Sequence, residues 1–463
     1  MIEKSLKLFL KDYANNSDII IAYSGGVDSQ VLLHALVKLK HAKAIQNPLV
    51  VCHVNHGLSD NAQRWQAFSQ SECERLNVKF QCSEVNIKAA PQKSLEAQAR
   101  DARYQVLQSV SQTPSLILTG HHSDDQTETF LLALKRGSGL KGLSAMASES
   151  SLGQHKLLRP LLNTSRKDIV AYATMHNLKW IEDESNADTR FDRNFIRHDI
   201  LPILSRRWPS INQTINRSAA LCLEGQTLLN EMAEQDLILC RAVLQDSLGD
   251  EAHAKENLLK KLPIDKLLSY SKARFNNLVR HFLAVNDCLM PSSEQLEQVY
   301  KQIHASQDKS PSIKVGDYCL RRYKSCLYLT PDYLDLSQWQ QQVSISEASQ
   351  KIILPDHLGD LAFCFGDVTK TTLVVAMAQN SDLETVNELE LLAPNSHQVV
   401  TVKFTHNNPT CMPDYRDKSR PMKKVLQELN IAPWQRKRIP FIYYDDVLVA
   451  AFGHFVCKPF LKR

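Results

Sequence analysis

The chain has 463 residues, of which 43% are hydrophobic and 23% are charged, a composition typical of a soluble globular protein of several domains. It contains no uncharged apolar run of the roughly 18 residues needed to span a membrane, and its N-terminus lacks the apolar core of a secretory signal. The 11 cysteines include no C-x-x-C pair, which argues against a disulfide framework or a zinc cluster and favours the reducing cytoplasm.

The positive charge is concentrated at the C-terminal end. Residues 401–463 contain 12 Lys and Arg against 5 Asp and Glu, a local excess of +7. Because the formal net charge of the whole chain is +5, the other 400 residues sum to −2. This asymmetry predicts a polyanionic partner, with a solvated basic surface as the alternative.

Short β-type runs alternate with amphipathic helical patterns from residue 19 to about 185. The predicted strands are DIIIAY, NPLVVCHVN, VKFQCSEVNI and SLILTG, and each precedes a helical stretch. This alternation predicts an α/β fold with a doubly wound parallel sheet, which we assign to residues 1–205. Residues 24–29 and 120–125 follow the first and fourth strands, at the edge where open α/β sheets bind ligands.

Three further regions follow this domain. Residues 206–330 have long helical periodicity and end in a predicted β-hairpin with its turn at Gly316-Asp317. Residues 331–383 are expected to form a linker region with some β structure. Residues 384–463 combine the strand patterns VVTVKF and FIYYDDVLVAAFGHFV with the helical pattern MKKVLQELNI, which predicts a small α+β domain.

The segment SGGVDS, residues 24–29, joins the first strand to the following helix. Unpaired N–H groups and the helix dipole favour an anion at such a turn, and glycines let the backbone approach it closely. Pyrophosphate is the natural guest, with Ser24 and Ser29 as hydroxyl donors. Asp28 would repel phosphates unless it holds Mg²⁺. The alternative is an ordinary turn in which Asp28 caps the helix.

Acidic and basic residues cluster at other predicted helices. Asp124, Asp125 and Glu128 open the helix after the fourth strand, where they could bind cationic amines, share a metal or simply cap the helix. Arg100 and Arg103 lie three apart on one helix and could clamp phosphates, or could form a salt-bridged surface.

A second set of arginines lies close to the end of the predicted first domain. Arg190, Arg193 and Arg197 are spaced to share one helix face over a ligand, with a basic helix surface as the alternative. His121 and His122 could contact a nucleobase or could pack at the strand end.

The order of these motifs resembles the bacterial tRNA(Ile)-lysidine synthetases, a family within the PP-loop ATP pyrophosphatases. The similarity covers nearly the whole chain, and its most specific part is GHHSDDQTETFLLALKRGSG. The other matching segments are SGGVDS, HVNHGLSDNA, EAQARDARYQVL, LLRPLL, EDESNADTRFDRNFIRHDILP and the C-terminal KSRPMKKVLQELNIAPWQRKRIPFIYYDDVLVAAFGHFV. Ser59 stands where many members have Arg, and we assign it no role.

The resemblance implies a reaction. ATP adenylates O2 of the cytidine at the wobble position of the CAU anticodon of tRNA(Ile), and the ε-amine of free L-lysine then displaces AMP from C2. The product, lysidine, changes codon recognition from AUG to AUA. The implied cofactors are ATP and Mg²⁺, and the implied compartment is the cytoplasm. The oligomeric state stays open, with a homodimer as one option.

The resemblance also implies roles for individual residues. It places ATP at Ser24, Gly25, Gly26, Val27, Asp28 and Ser29, with Mg²⁺ on Asp28. It gives catalytic roles to Asp28, Arg100, Arg103, Asp125, Glu128, Arg193 and Arg197, and lysine binding to Asp124, Asp125 and Glu128. It assigns tRNA binding to Lys135, Arg136, Arg190, Arg416, Lys418, Arg420, Lys423, Lys424, Arg436, Lys437 and Arg438. Trp434 and Tyr415 could stack on bases or pack in a core.

Two alternative functions stay open at this point. A tRNA thiolase would share the PP-loop but usually needs reactive cysteines, and Cys52, Cys73 and Cys82 form no C-x-x-C motif. A non-catalytic RNA-binding protein would explain the basic C-terminal end, although it would leave SGGVDS and the acidic cluster without a purpose.

Overall fold

The computed structural model describes residues 2–13, 17–57, 59, 61–85, 95–246, 259–304, 312–344, 350–365, 371–378 and 385–462. The chain divides into two compact units, Met1–Met232 and Ala233–Arg463. Across the described ranges, no helix combines the length and the apolar character needed to cross a membrane.

The first unit is built on a six-stranded sheet. Its strands are β1 (Ile19–Ala22), β2 (Leu49–Asn55), β3 (Lys79–Glu84), β4 (Leu116–Thr119), β5 (Glu149–Leu152) and β6 (His155–Leu158). Their order is β3-β2-β1-β4-β6-β5, and every neighbouring pair is parallel except β5 with β6. The parallel sheet predicted from the sequence is confirmed, whereas the short hairpin of β5 and β6 was not predicted because its segments ESSL and HKLL lack a strong strand pattern.

Helices cover both faces of this sheet. The helices that begin in this unit are α1 (Ile2–Leu10), α2 (Val27–His41), α3 (Ala62–Arg75), α4 (Leu95–Ser109), α5 (Ser123–Lys135), α6 (Leu140–Leu143), α7 (Arg166–Met175), α8 (Asp192–Phe195), α9 (Leu201–Arg207) and α10 (Ile211–Asp246). One core contains Leu6 of α1, Val31 of α2 and Ile169 of α7. A second core joins Leu107 of α4 to Ile117 of β4. The doubly wound architecture is therefore confirmed.

The sheet reverses its winding direction between β1 and β4. The chain passes from β1 outward through β2 to β3, and β4 then returns to the other side of β1. Ala22 pairs with Thr119, so the two strands end at the same level. Open α/β sheets bind ligands at such a switch point, because the loops that leave the two strands diverge and open a crevice. Residues 24–29 and 120–125 are the two loops concerned.

The second unit begins with helices packed on an antiparallel sheet. The helices are Ile264–Leu268, Lys272–Ala284 and Ser293–His304, and the strands are Lys261–Pro263, Ser312–Val315, Tyr318–Tyr323 and Cys326–Pro331. The predicted hairpin with its turn at Gly316-Asp317 is confirmed, since Val315 pairs with Tyr318. The helix Ile211–Asp246 crosses the division between the two units, so the border predicted at residue 205 precedes the observed division.

Two sheets share a core in the rest of the second unit. One contains the strands Gln350–Ile353, Asp360–Phe365, Thr372–Ala378 and Thr385–Leu392, and the other contains Gln340–Val343, Val400–Lys403, Phe441–Tyr444, Val447–Ala451 and Phe455–Val456. The short strands Thr410–Cys411 and Arg420–Pro421 pair beside the helices Met422–Glu428 and Pro433–Arg436. The interval 331–383, expected to be a linker with some β structure, contributes four of these strands among its described residues. The border predicted at 384 falls between two paired strands.

The approach of β4 to the loop after β1 leads to the first prediction. A Cβ atom added at Gly120 would lie 3.0 Å from the carbonyl carbon of Asp28 and 3.1 Å from the backbone nitrogen of Ser29. We expect Gly120→Ala to lower the free energy of unfolding by about 1–3 kcal/mol, because the backbone must move to admit the methyl group. Denaturant unfolding, followed by tryptophan fluorescence, measures the change.

Gly225→Ala is the matched control for this substitution. Its added Cβ atom would meet only the side chain of Leu140, at an ordinary 3.6 Å, inside α10. Alanine in a helix interior should leave stability unchanged or raise it by up to about 1 kcal/mol. Equal stability losses in the two variants would contradict the steric explanation.

Candidate functional site

The loop after β1 exposes backbone donors at the start of α2. Gly25 has φ +82°, a left-handed conformation, and a Cβ atom there would lie 2.7 Å from Cδ1 of Ile181. Gly26 is the N-cap of α2 and offers no side-chain cap. The first N–H groups of an α-helix have no partner within the helix. The loop therefore presents uncapped donors and the positive end of the helix dipole, which together favour an anion.

The two serine hydroxyls of the loop hold its conformation. Oγ of Ser29 donates to the carbonyl oxygen of Gly26 at 3.0 Å and accepts from the backbone N–H of Ser24 at 3.3 Å. Oγ of Ser24 lies 3.3 Å from Oγ of Ser29. These contacts close the loop on itself, so the serines organise the donors as well as offering hydroxyls of their own.

A cavity of about 180 Å³ opens at the switch point. Both predicted phosphate-binding arginines, Arg100 and Arg103 of α4, line this cavity together with the loop after β1. The guanidinium of Arg100 also lies 5.1 Å from the ring centre of Tyr104. The residues that line the cavity include Ser24, Asp28, Ser29, Cys52, Arg100, Arg103, Gly120, His121 and Asp125. The structure thus brings the two arginines to the same crevice as SGGVDS.

Asp28 lies in a mixed electrostatic environment. Nη1 of Arg166 lies 3.3 and 3.2 Å from its two carboxylate oxygens, and Nε2 of His122 lies 3.6 Å from Oδ1. Burial raises the pKa of Asp28, an effect that His122 and Arg166 oppose and Asp125 reinforces. A carboxylate that is costly to keep ionised is a suitable partner for a cation.

His122 connects the two strand-end loops. Nδ1 of the His122 ring accepts a hydrogen bond from the backbone N–H of Asp124 at 3.3 Å. The backbone N–H of His122 donates to Oδ2 of Asp125 at 3.0 Å, and the two bonds form a capping box at the start of α5. Its Nε2 points between Asp28 and Asp125, at 3.6 and 3.5 Å. His122 is 1% exposed, so its role is internal, whereas His121 lines the cavity.

Glu128 binds two arginines at once. Its carboxylate lies 3.0 Å from Nε of Arg193 and 2.6 Å from Nε of Arg197, and Nη2 of Arg197 also lies 3.4 Å from Asp125. Burial alone would lower the pKa of Arg197, but its hydrogen bond to Glu128 raises that pKa above the ordinary value. Because Glu128 is 1% exposed and doubly paired, this arrangement does not support its predicted role as a lysine ligand.

Arg190 does not join these two arginines. The prediction that Arg190, Arg193 and Arg197 share a helix face is wrong for Arg190, which precedes α8 and pairs with Asp188. Its side chain is 89% exposed. Arg193 and Arg197 reach Glu128 from α8 and from the π-helical turn Ile196–Ile200, a conformation that is frequent at functional sites.

The predicted tRNA-binding residues of the C-terminal region separate into two groups. Arg438 is only 13% exposed and binds Asp356, and Arg416 and Arg420 both pair with Glu428. Nε of Arg436 donates to the carbonyl oxygen of Ile431 at 2.8 Å. Lys418, Lys423, Lys424 and Lys437 form the second group and are exposed, as is Arg420 despite its pair with Glu428. For Arg438 the structural contact replaces the predicted surface role.

Trp434 and Tyr415 differ in their surroundings. Trp434 is 8% exposed and packs edge-on against Tyr323 and Tyr328, so it is a core residue rather than a base-stacking one. Tyr415 is 51% exposed.

Several site residues escaped the sequence analysis. Arg166 reaches Asp28, and its backbone N–H donates to Oδ1 of Asp124 at 3.1 Å. Nδ2 of Asn216 donates to the carbonyl oxygen of Ser123 at 3.0 Å, which ties α10 to the start of α5. The Ser165-x-x-Asp168 capping pattern marked the start of α7, but no local signal revealed which strand end this helix meets.

Three family models match successive parts of the chain. A PP-loop domain matches residues 1–204, a TilS substrate binding domain matches 262–328, and a TilS substrate C-terminal domain matches 400–463.

Curated relatives match almost the full length of the chain. The tRNA(Ile)-lysidine synthase of Serratia proteamaculans is 41% identical over 95% of this chain and 92% of its own length. The enzyme of the same name from Histophilus somni is 37% identical over 96% of this chain and 97% of its own length. That of Coxiella burnetii is 36% identical over 99% of this chain and 93% of its own length.

The buried pairing of Glu128 generates the second prediction. Glu128→Ala should lower the free energy of unfolding of the first unit by about 3–5 kcal/mol, because it leaves two partly buried guanidinium groups without their shared carboxylate. Hydrogen–deuterium exchange of the peptide spanning α5 measures the loss locally.

Asp192→Ala is the matched control, since the pair of Asp192 with Lys135 is exposed on both sides. Its cost should stay below about 1 kcal/mol. Comparable losses of protection in α5 for both variants would show that the Glu128 cluster contributes no more than a surface pair.

Proposed function

Because the chain belongs to the tRNA(Ile)-lysidine synthase family, we propose that it ligates free L-lysine to C2 of the wobble cytidine of tRNA(Ile). It is an ATP-using enzyme of the PP-loop class that forms lysidine. The observation that carries the mechanism is the crevice between β1 and β4, where backbone donors, arginines and acids converge. We take this crevice as the place where nucleotide, cytidine and lysine meet.

ATP is proposed to bind with its β and γ phosphates at the start of α2. The left-handed Gly25 and the uncapped Gly26 support this placement, because they leave the first N–H groups of the helix open to an anion. The closed hydrogen-bond pattern of Ser24 and Ser29 preorganises these donors before the nucleotide arrives.

Mg²⁺ is proposed to bind at Asp28. The donor set fits, because the ion uses one or two carboxylates plus phosphate oxygens, and Asp28 stands in the first turn of the helix that faces the phosphates. When bound, the ion would neutralise charge on the leaving pyrophosphate.

The first chemical step is proposed to be attack of cytidine O2 on the α-phosphorus, with departure of pyrophosphate. Negative charge develops on the phosphoryl oxygens during such a transfer, and preorganised cations stabilise it. Arg100 and Arg103 of α4 line the cavity and supply the positive charge that stabilises these oxygens. Glu128 positions Arg193 and Arg197, which extends the cationic edge of the same crevice.

The second step is proposed to be attack on C2 by the lysine ε-amine in its neutral form, after the ammonium has lost a proton to solvent. The new C2–N bond replaces the C2–O2 bond, and O2 leaves as part of AMP. Asp125 lines the cavity, and although burial opposes its ionisation, His122 and its other neighbours hold its pKa below the ordinary value. An ionised Asp125, with Asp124 beside it, attracts the cationic lysine and orients its amine. Glu128 is assigned to holding the arginines instead of contacting lysine.

The tRNA is proposed to meet two basic surfaces. In the first unit these are Lys135, Arg136 and Arg190, all exposed. In the second unit, the proposed surface consists of the exposed Lys418, Lys423, Lys424 and Lys437. Arg416 and Arg420 are expected to contribute less to tRNA binding, because both already pair with Glu428. Such contacts bind phosphates without reading sequence, so we expect the wobble base to be selected in the crevice.

A thiolase reaction is less well supported. Cys52 lines the cavity, but burial raises its pKa to about 11, so it is a thiol and a poor nucleophile at neutral pH.

The central test is mass spectrometry of purified tRNA(Ile) after incubation with the enzyme, ATP and isotope-labelled lysine. We expect the wobble cytidine to gain the mass of lysine less water, with AMP as the nucleotide product. Asp28→Ala should abolish AMP formation while leaving tRNA binding intact, because Asp28 serves the phosphates. A thiolation mass shift, release of ADP, or undiminished AMP from the variant would each refute the proposal.

The second-unit lysines provide a separate test. Replacing Lys418, Lys423 and Lys424 by Gln should weaken tRNA binding and reduce the slope of log affinity against log salt by roughly 2 to 3, about one for each lost phosphate contact. Filter binding at several salt concentrations measures both quantities. A matched variant with Lys4 and Lys7 of α1 replaced by Gln should behave as wild type, and an unchanged slope in the triple variant would mean that these lysines only face solvent.

A further inference from the structure

Arg166 stands where the two acidic loops of the crevice come together. Its guanidinium Nη1 contacts both oxygens of Asp28, at 3.3 and 3.2 Å. Its backbone N–H donates to Asp124 at 3.1 Å. One residue therefore contacts the acid that follows β1 and an acid that follows β4.

The backbone of Arg166 is held firmly in place. α7 packs beside α2, and the hydroxyl of Tyr172 lies 3.1 Å from Nδ1 of His34. Asp28 and His34 are six residues apart on α2, as Arg166 and Tyr172 are on α7. The two contacts therefore align the helices in parallel, with their N-termini at the same level.

The side chain of Arg166, by contrast, keeps spare capacity. It is 43% exposed, and among the described residues its Nε and Nη2 have no hydrogen-bond partner. A half-exposed pair with Asp28 is held only weakly. A guanidinium presents a fork of donors that matches phosphate geometry, so most of this fork is available to a ligand.

The free donors of Arg166 would meet a ligand that binds at the start of α2. Asp28 belongs to the first helical turn, so the guanidinium that reaches its carboxylate lies beside that turn. Arg100 and Arg103 approach from α4, which packs on the opposite face of the sheet from α2 and α7. Arg166 is thus a cation that approaches the start of α2 from the face opposite to Arg100 and Arg103.

We propose that Arg166 binds the β and γ phosphates of ATP, and afterwards the pyrophosphate product, and that it holds Asp28 in place while the loop is empty. This inference rests on the proposed function for the identity of the nucleotide. On binding, the guanidinium exchanges the Asp28 carboxylate for phosphate oxygens, and the carboxylate becomes free for a cation. Arg166 therefore acts on the leaving group, a role distinct from that of the arginines on α4.

The test uses inorganic pyrophosphate and AMP as probes, titrated separately into the full-length enzyme by isothermal calorimetry. Arg166→Gln should weaken pyrophosphate binding roughly 10-fold or more, because it removes charge-assisted hydrogen bonds, and should leave AMP binding within about 2-fold of wild type. Arg166→Lys should retain part of the pyrophosphate affinity. Lys167→Gln, an exposed neighbour on the same turn, is the matched control and should match wild type.

The same titrations in an Asp28→Asn background separate contact from indirect positioning. With the carboxylate removed, Arg166→Gln should still weaken pyrophosphate binding if the guanidinium touches phosphate. The proposal would be overturned if the double variant bound pyrophosphate as tightly as Asp28→Asn alone. It would also be overturned if Arg166→Gln in the wild-type background lost equal affinity for AMP and for pyrophosphate. Lysidine formation by the wild-type enzyme is assayed independently, so a failure here that leaves lysidine formation intact removes only the role of Arg166.

Discussion

The close approach of two parallel strands at the point where the sheet reverses its winding is the constraint on which the site depends. β1 and β4 end at the same level, and Gly120 lies against the backbone of Asp28 and Ser29 with no room for a side chain. This contact brings the glycine-containing loop after β1 and the acidic start of α5 into one crevice. His122, buried between the two loops, then keeps Asp28 and Asp125 within reach of a single imidazole. The proposed meeting of a nucleotide and an amine depends on this geometry, because the two loops leave from adjacent strands.

Charge balance is the second condition of the site. Four acids and several arginines lie at one sheet edge, and burial would make each of them expensive without partners. The structure solves this in pairs: Glu128 with Arg193 and Arg197, and Asp28 with Arg166. The two kinds of pair differ in exposure. The carboxylate of Glu128 is buried and orients two partly buried arginines, whereas the Asp28 pair is half open, as the proposed exchange of its partners for a nucleotide and a metal requires.

In the second unit, the number of basic residues does not tell which of them are available to a polyanionic partner. The concentration of positive charge near the C-terminus was evident from residue counts alone, but the counts treat all cations alike. In the folded unit Arg438 is used to bind Asp356 and Arg416 and Arg420 share Glu428, while lysines of the same segment face solvent. The interval 331–383 gave little local signal for a related reason. Its first strand, Gln340–Val343, has only four residues and pairs with the distant Val400–Lys403, so its place in a sheet depends on the assembled unit, whereas the other three strands pair with their neighbours along the chain.

The sequence by itself determined the α/β class of the first unit, the position of the SGGVDS turn, the acidic helix start and the family, because each of these is written in contiguous residues with a characteristic period or motif. The C-terminal strands and the hairpin at Gly316-Asp317 were accessible for the same reason. Only the tertiary structure decided which charges meet. Arg166 and Asp28 are 138 residues apart, Arg197 and Glu128 are 69 apart, and Arg190 leaves its apparent partners because it precedes the helix. Such contacts depend on the order of strands in the sheet and on the register of packed helices, and spacing along the chain carries no information about either.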